Sequence, residues 1–224
     1  MPQPTVLYGA SGLPMQVDPT HQAARVSVRP MEFTTGGGSY SIGRVSGIMA
    51  AGLAGASPVV AVRWNPSVST MVCLVRRIRF TAGVLGTAFT AGACTFAAFM
   101  NRNYTTAATG GTQLTLGGLN MRRATKFPPS QFATSSISVS ATATLTDGAS
   151  TQDANPFASF DTSVPNTAGV VLVPLPGNLF DPTEAGRYPL VLQNNEGYVI
   201  QATVPATGTW TFSWDMDWDE VPSY

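Results

Sequence analysis

From Thr209 to Glu220 the sequence TWTFSWDMDWDE alternates without a break. Successive side chains of an extended chain point to opposite faces. Trp210, Phe212, Trp214, Met216 and Trp218 therefore share one face, and Thr211, Ser213, Asp215, Asp217 and Asp219 share the other. At helical pitch the same residues would be scattered around the axis, so the pattern selects a strand. Large aromatics on one side only require a core on that side, and the carboxylates require water or cations on the other. A chain that carries such a strand needs a second layer to cover the indoles.

The rest of the sequence supplies candidates for that layer. PVVAVRW (58–64) is a near-continuous apolar run, and TMVCLVRRIRFTA (70–82) follows it. In the latter, alternation places Val72, Leu74, Ile78 and Phe80 together, with Arg76 as an exception, and Met71, Cys73, Val75, Arg77 and Arg79 on the other face. FTAGACTFAAFMNRNYT (89–105) fits a helical stripe through Phe89, Ala93, Phe96 and Met100 and also a strand from Phe96 to Arg102; the strand is preferred because Thr and Phe dominate and no helix cap is evident. SSISVSATATLTDG (135–148) alternates almost as strictly as the aromatic segment: Ile137, Val139, Ala141, Ala143 and Leu145 against Ser138, Ser140, Thr142, Thr144 and Thr146. GVVLVPL, YPLVLQ and GYVIQATV complete eight to ten strands separated by Gly, Pro, Asn and Asp turns, with no convincing helix. The expected fold is all-β, an antiparallel β-sandwich or jelly roll spanning residues 46–224. Residues 1–45 hold Pro2, Pro4, Pro14, Pro19 and Pro30 and end in GGGSYSIG, which reads as an extended N-terminal arm and a Gly-rich hinge.

In a jelly roll an early strand commonly lies beside the last. Arg77 and Arg79 stand two residues apart, as do Asp215, Asp217 and Asp219, so these five residues are expected to pair across one ladder. Their main effect would be register, since a one-residue slip turns the tryptophans outward. A calcium site is the weaker reading of the aspartates, because six to eight oxygens converge more readily from loops than from a flat strand. No metal is expected.

Composition narrows the function classes. Charged residues make up 11% of the chain, twelve basic against twelve acidic, where a soluble domain carries about 25%. A neutral chain lacks the basic footprint of a nucleic-acid binder. So little charge leaves the surface open to association with other chains. Lys126 is the only lysine, and arginine suits packed, bidentate contacts better. Cys73 and Cys94 are the only cysteines and make no C-x-x-C. The apolar stretch 45–62 holds Pro58 and several glycines, so no membrane span is expected.

Catalytic signatures are missing. His21 is the only histidine and lies in the Pro-rich arm; there is no G-x-S-x-G, H-E-x-x-H or phosphate loop. Asp181, Glu184, Glu196 and Glu220 could pair for glycosidase chemistry, but the simpler expectation is solvated loop acids. The chain is therefore not expected to be an enzyme, and no cofactor is expected.

Residues 188–221 contain PLVL, NEG before an apolar strand, ATGTW and a closing W-x-E-V. Upstream, in order, stand WNPS at Trp64, RRIRF at Arg76, TGGT at Thr109 and LTDG at Leu145. Over about residues 60–222 this succession resembles a group of tailed-bacteriophage virion proteins. The resemblance implies a capsid-associated structural protein of the decoration or cement type with a jelly-roll body. Its expected partners are the major capsid protein and further copies of itself, as a homotrimer on the outer capsid surface of the virion, with neither nucleic acid nor membrane engaged. Expected contact residues are Val6, Leu7, Tyr8, Leu13 and Met15 in the arm and Tyr40 and Ile42 in the hinge. The alternative is a tail or fibre protein that binds a receptor sugar through the loops at 147–167 and 176–188.

Overall fold

The structure, a computed structural model, describes residues 37–53, 55, 57–116, 127–133, 136–173, 177–182 and 188–222. The chain divides into two compact units, Met1–Glu32 and Phe33–Tyr224. The first lies outside the described residues, and with it most of the expected arm, His21 and the contact residues Val6, Leu7, Tyr8, Leu13 and Met15.

Fourteen strands and no helix are found among the described residues. In chain order they are β1 (Gly38–Val45), β2 (Met49–Ala50), β3 (Ser57–Trp64), β4 (Val72–Val84), β5 (Gly92–Arg102), β6 (Thr112–Gln113), β7 (Ile137–Val139), β8 (Thr151–Gln152), β9 (Ala158–Val164), β10 (Val171–Val173), β11 (Asn178–Phe180), β12 (Leu190–Leu192), β13 (Glu196–Thr203) and β14 (Thr209–Val221). One sheet runs β1-β14-β4-β10, with β11 and β12 also on β4 and β2 on β14. The other runs β6-β7-β3-β13-β5-β8, with β9 also on β5. Every strand pair is antiparallel.

The two sheets face each other in a sandwich-like arrangement, with the aromatic face of β14 inside. Trp210, Phe212, Trp214, Met216 and Trp218 are all buried in one core cluster. Phe96 of β5 reaches across from the other sheet to Phe80 and Trp210, with ring centroids 5.0 and 5.8 Å away. β3 and β13 are buried on both faces, which explains their near-continuous apolar sequence. Val60, Val62, Tyr198 and Ile200 face the main core, while Ala61 and Val199 join a second cluster with Tyr104, Ala108 and Leu145. That cluster is the outer face of the second sheet, roofed by the chain after β5 and after β7.

Three expectations change. Residues 38–45 are not a hinge: they form β1, fully registered on β14 from Gly38↔Glu220 to Val45↔Ser213. The glycines leave room for neighbours here, and Tyr40 supplies an anchoring aromatic that stacks on Trp218 at 5.4 Å. The sheet body therefore begins before residue 46.

On β4, Arg76 is the extra residue of a β-bulge: Asp217 faces Arg77 and Trp218 faces Val75. The bulge reverses the phase, so Cys73 and Val75 join Ile78 and Phe80 in the core, and Leu74 faces away from it. The alternation across 135–148 survives as strand only at Ile137–Val139. Ala143 is exposed, and Leu145 enters the second cluster rather than the main core.

Candidate interaction face

The outer face of the first sheet carries the polar residues of β14 beside those of β4, and its composition changes along the strands. At one end the Arg76 guanidinium donates to Asp219 at 2.7 Å, Arg77 donates to Asp217, and Arg79 donates to Asp215 at 2.7 Å. Next comes a hydroxyl pair, Thr81 with Ser213 at 2.5 Å, and then Thr211 opposite Gly83. Asp215 and Asp217 sit opposite Arg79 and Arg77 in register. Asp219 sits opposite Leu74, and the bulge lets Arg76 take up its carboxylate.

The most exposed of these ion pairs, Arg79 with Asp215, stabilises little by itself. Arg79 and Asp215 keep 40% and 31% of their side-chain surface in water, where such pairs contribute about 0.2–1 kcal/mol. The hydrogen bond to Asp215, opposed in part by burial, holds the Arg79 guanidinium above its ordinary value. What the ladder does achieve is to pair three arginines with three aspartates within the chain.

Two hollows lie on this face. A polar one of about 640 Å³ is lined by Ser41, Arg44, Arg79, Thr115, Asp215 and Asp217. An apolar one of about 300 Å³ is lined by Val45, Ala82, Gly83, Val171, Phe212 and hydroxyl-bearing neighbours, with no charged side chain. Val45 and Val171 at its rim are 61% and 66% exposed. Tyr40, expected as a contact, is fully buried, with its hydroxyl donating to the Pro128 carbonyl at 2.9 Å, and so belongs to the core. Ile42 is half-buried and packs against that core.

Of the two expected sugar-binding loops, the first carries strands of its own. Residues 147–167 contain β8 and β9, and Phe157 packs edge-on against Phe180 and Tyr198. Of 176–188, positions 177–182 and 188 are described, and Tyr188 is 82% exposed.

Two of the four candidate acids are engaged separately. Glu196 accepts from Arg102 at 2.6 Å, and Glu220 is not a loop acid but a fully buried residue of β14. Glu184 lies outside the described residues. Cys73 and Cys94 are free thiols, both buried; burial raises Cys94 to about 11 and pushes Cys73 well above its ordinary value. No group of three or more metal-ligating side chains occurs among the described residues, and no helix there is long and apolar enough to cross a membrane.

Two polar clusters were not legible in the sequence. Asp147 accepts from the Tyr104 hydroxyl, from Asn101 Nδ2 at 2.8 Å and from the Gly148 amide at 2.8 Å. Burial first, then the bond to Asp147, keeps the Tyr104 phenol protonated far above its usual range. Arg63 donates to the Tyr104 carbonyl at 2.6 Å, and desolvation lowers its guanidinium. A Cβ at Gly148 would lie 1.9 Å from the Thr106 carbonyl, and one at Gly197 2.0 Å from that of Val62, so both positions require glycine. The second cluster surrounds Glu220. D-G at 147–148 was readable as a turn; the two buried side-chain donors to Asp147 were not, because they come from residues 101 and 104, which only folding brings to it.

No family model, no curated protein and no solved structure matches the chain.

Proposed function

We propose that this chain is a structural subunit of a tailed-bacteriophage virion, a decoration (cement) protein that binds the outer capsid shell as a homotrimer and clamps neighbouring major capsid subunits. Its jelly-roll body would be held between copies, with the N-terminal arm laid on an adjoining chain and no catalytic role. The observation that carries this reading is the outer face of the first sheet. Three of its arginines are paired with three aspartates within the chain, and beyond them it turns apolar and uncharged. Such a face offers little repulsion to a neighbouring copy, and closed rotational symmetry is the usual arrangement of repeated chains. The succession of motifs from WNPS to W-x-E-V supports the virion assignment.

The test is the mass of the purified chain in solution together with its location and stoichiometry in intact particles. Trimers distributed over the shell are expected; a monomer absent from any particle, or turnover of a substrate, overturns the reading. The exposed Tyr188 favours a second reading, a tail or fibre protein that stacks a receptor sugar on that ring. A few copies confined to the tail, with polysaccharide binding lost in Y188A, would select it.

A further inference from the structure

Residues 127–133 cross the end of the sandwich where Trp64, Trp218 and Tyr40 meet. Phe132 stands edge-on between Trp64 and Trp218, at 4.7 and 5.4 Å, and bridges to Pro66. Pro128 accepts from Tyr40, and Ser67 donates to Gln131. The remaining hold is Glu220, fully buried, which accepts from Ser130 Oγ at 2.5 Å, the Gln131 amide at 2.8 Å and Trp218 Nε1 at 3.0 Å. All three donors are neutral.

No cation faces this carboxylate among the described residues. On its own strand Asp219 is engaged by Arg76. Across the sheet stand the Cys73 thiol on β4 and Gly38 on β1. The crossing segment presents Ser130 and Gln131 and no titratable side chain. A buried carboxylate without a counter-ion favours its neutral form or exposure to water.

The contact set also suits both protonation states. Ser130 Oγ can turn from donor to acceptor when Glu220 takes a proton, and the Gln131 amide still finds the other oxygen. Only the buried charge differs between the two.

We propose that residues 127–133 form a strap over the aromatic end of the sandwich, held shut when Glu220 is neutral and loosened when Glu220 is ionised. Burial, opposed by the bonds from Ser130, Trp218 and Gln131, raises the Glu220 carboxyl above its ordinary value. An acid raised in the closed state binds its proton more tightly closed than open. Closure is therefore strongest below the ordinary carboxylate value and weakens as pH climbs through the raised one. Opening would bare Trp64 and Trp218 at the sheet end.

The test is amide hydrogen exchange at Gln131 and Phe132 in the intact chain, with intrinsic rates divided out, from pH 4 to pH 8. Protection should fall as pH rises, by about tenfold for each unit by which the closed-state value exceeds the open-state one. Amides of Ile200 and Met216 in the central strands should not follow. E220Q should remove the pH dependence. S130A, which takes away the one acceptor for the acid proton among the described contacts of Glu220, should lower protection at pH 4 toward the value at pH 8. Protection independent of pH, or the same pH dependence in E220Q, overturns the proposal. Should E220Q fail to fold, full protection of S130A at pH 4 overturns it equally.

Discussion

Two segments of this chain alternate strictly in sequence, and they fold differently. Residues 209–221 form one unbroken strand; residues 137–146 leave their sheet after three residues and turn over its outer side. The difference lies in what alternates. From Trp210 to Trp218 each inward position of β14 is an aromatic or a methionine, so a slip of one residue would expose three indoles to water. In the second segment the inward positions after Val139 are Ala141 and Ala143, which bury little in either orientation. Local hydrogen bonds then decide the path: Ser140 donates its amide to Val59 and Leu145 its amide to Pro58, and Leu145 swings into the second cluster. Periodicity marks a face; side-chain volume determines whether the face is enforced.

The comparison can be broken most strongly at the indoles. W214A removes a fully buried ring from β14 and should destabilise the fold by about 3–5 kcal/mol in urea unfolding. A loss under about 1 kcal/mol would show that the aromatic face does not hold the register. In the turning segment the anchor is instead polar. D147A strands the donors of Tyr104, Asn101 and Gly148, for an expected loss of about 2–3 kcal/mol. Y104F, which removes one donor and leaves the carboxylate two, should cost about 1 kcal/mol. If both variants are silent, the roof over the second sheet is held by packing alone.

A double-mutant cycle on Arg79 and Asp215 should return a coupling of about 0.2–1 kcal/mol that shrinks as salt is added. A larger, salt-insensitive value would mean that the ladder is covered rather than wet. The smallest effect is the sharpest discriminator. Ala143 is exposed, so A143D should change stability by no more than about 0.5 kcal/mol. Had the alternation run on as a strand with Ala143 in the core, the same change would bury a charge and unfold the chain.

Much of the first sheet was readable. The alternation of Trp and Asp placed β14 with one face inside, and the two-residue spacing of Arg77 and Arg79 pointed to β4 as its neighbour; both follow from the period of an extended chain. Arg76 was visible as a break in that period without its meaning, because one extra residue reads the same in sequence whether it lies in a bulge or at an ordinary position. The glycines around Tyr40 suggest a hinge when read along the sequence. Only the neighbouring β14, with Trp218 to stack on, makes residues 38–45 a strand.

Of the outer face of the first sheet, the charged half was legible and the apolar half was not. Val45 and Val171 stand far apart in sequence and meet only through the sheet. Glu220 looked like one more acid after three aspartates. Its burial depends on residues 127–133, about ninety positions earlier.

The sequence by itself determined that this chain is all-β and which face of its most aromatic strand turns inward, because strand period and side-chain hydrophobicity are local properties. Tertiary structure alone decided where alternation stops mattering, which charges are neutralised and which acid is buried without a cation. Those outcomes depend on partners that come together only when the two sheets close, and desolvation acts on what surrounds a group in space, not on what precedes it in the chain.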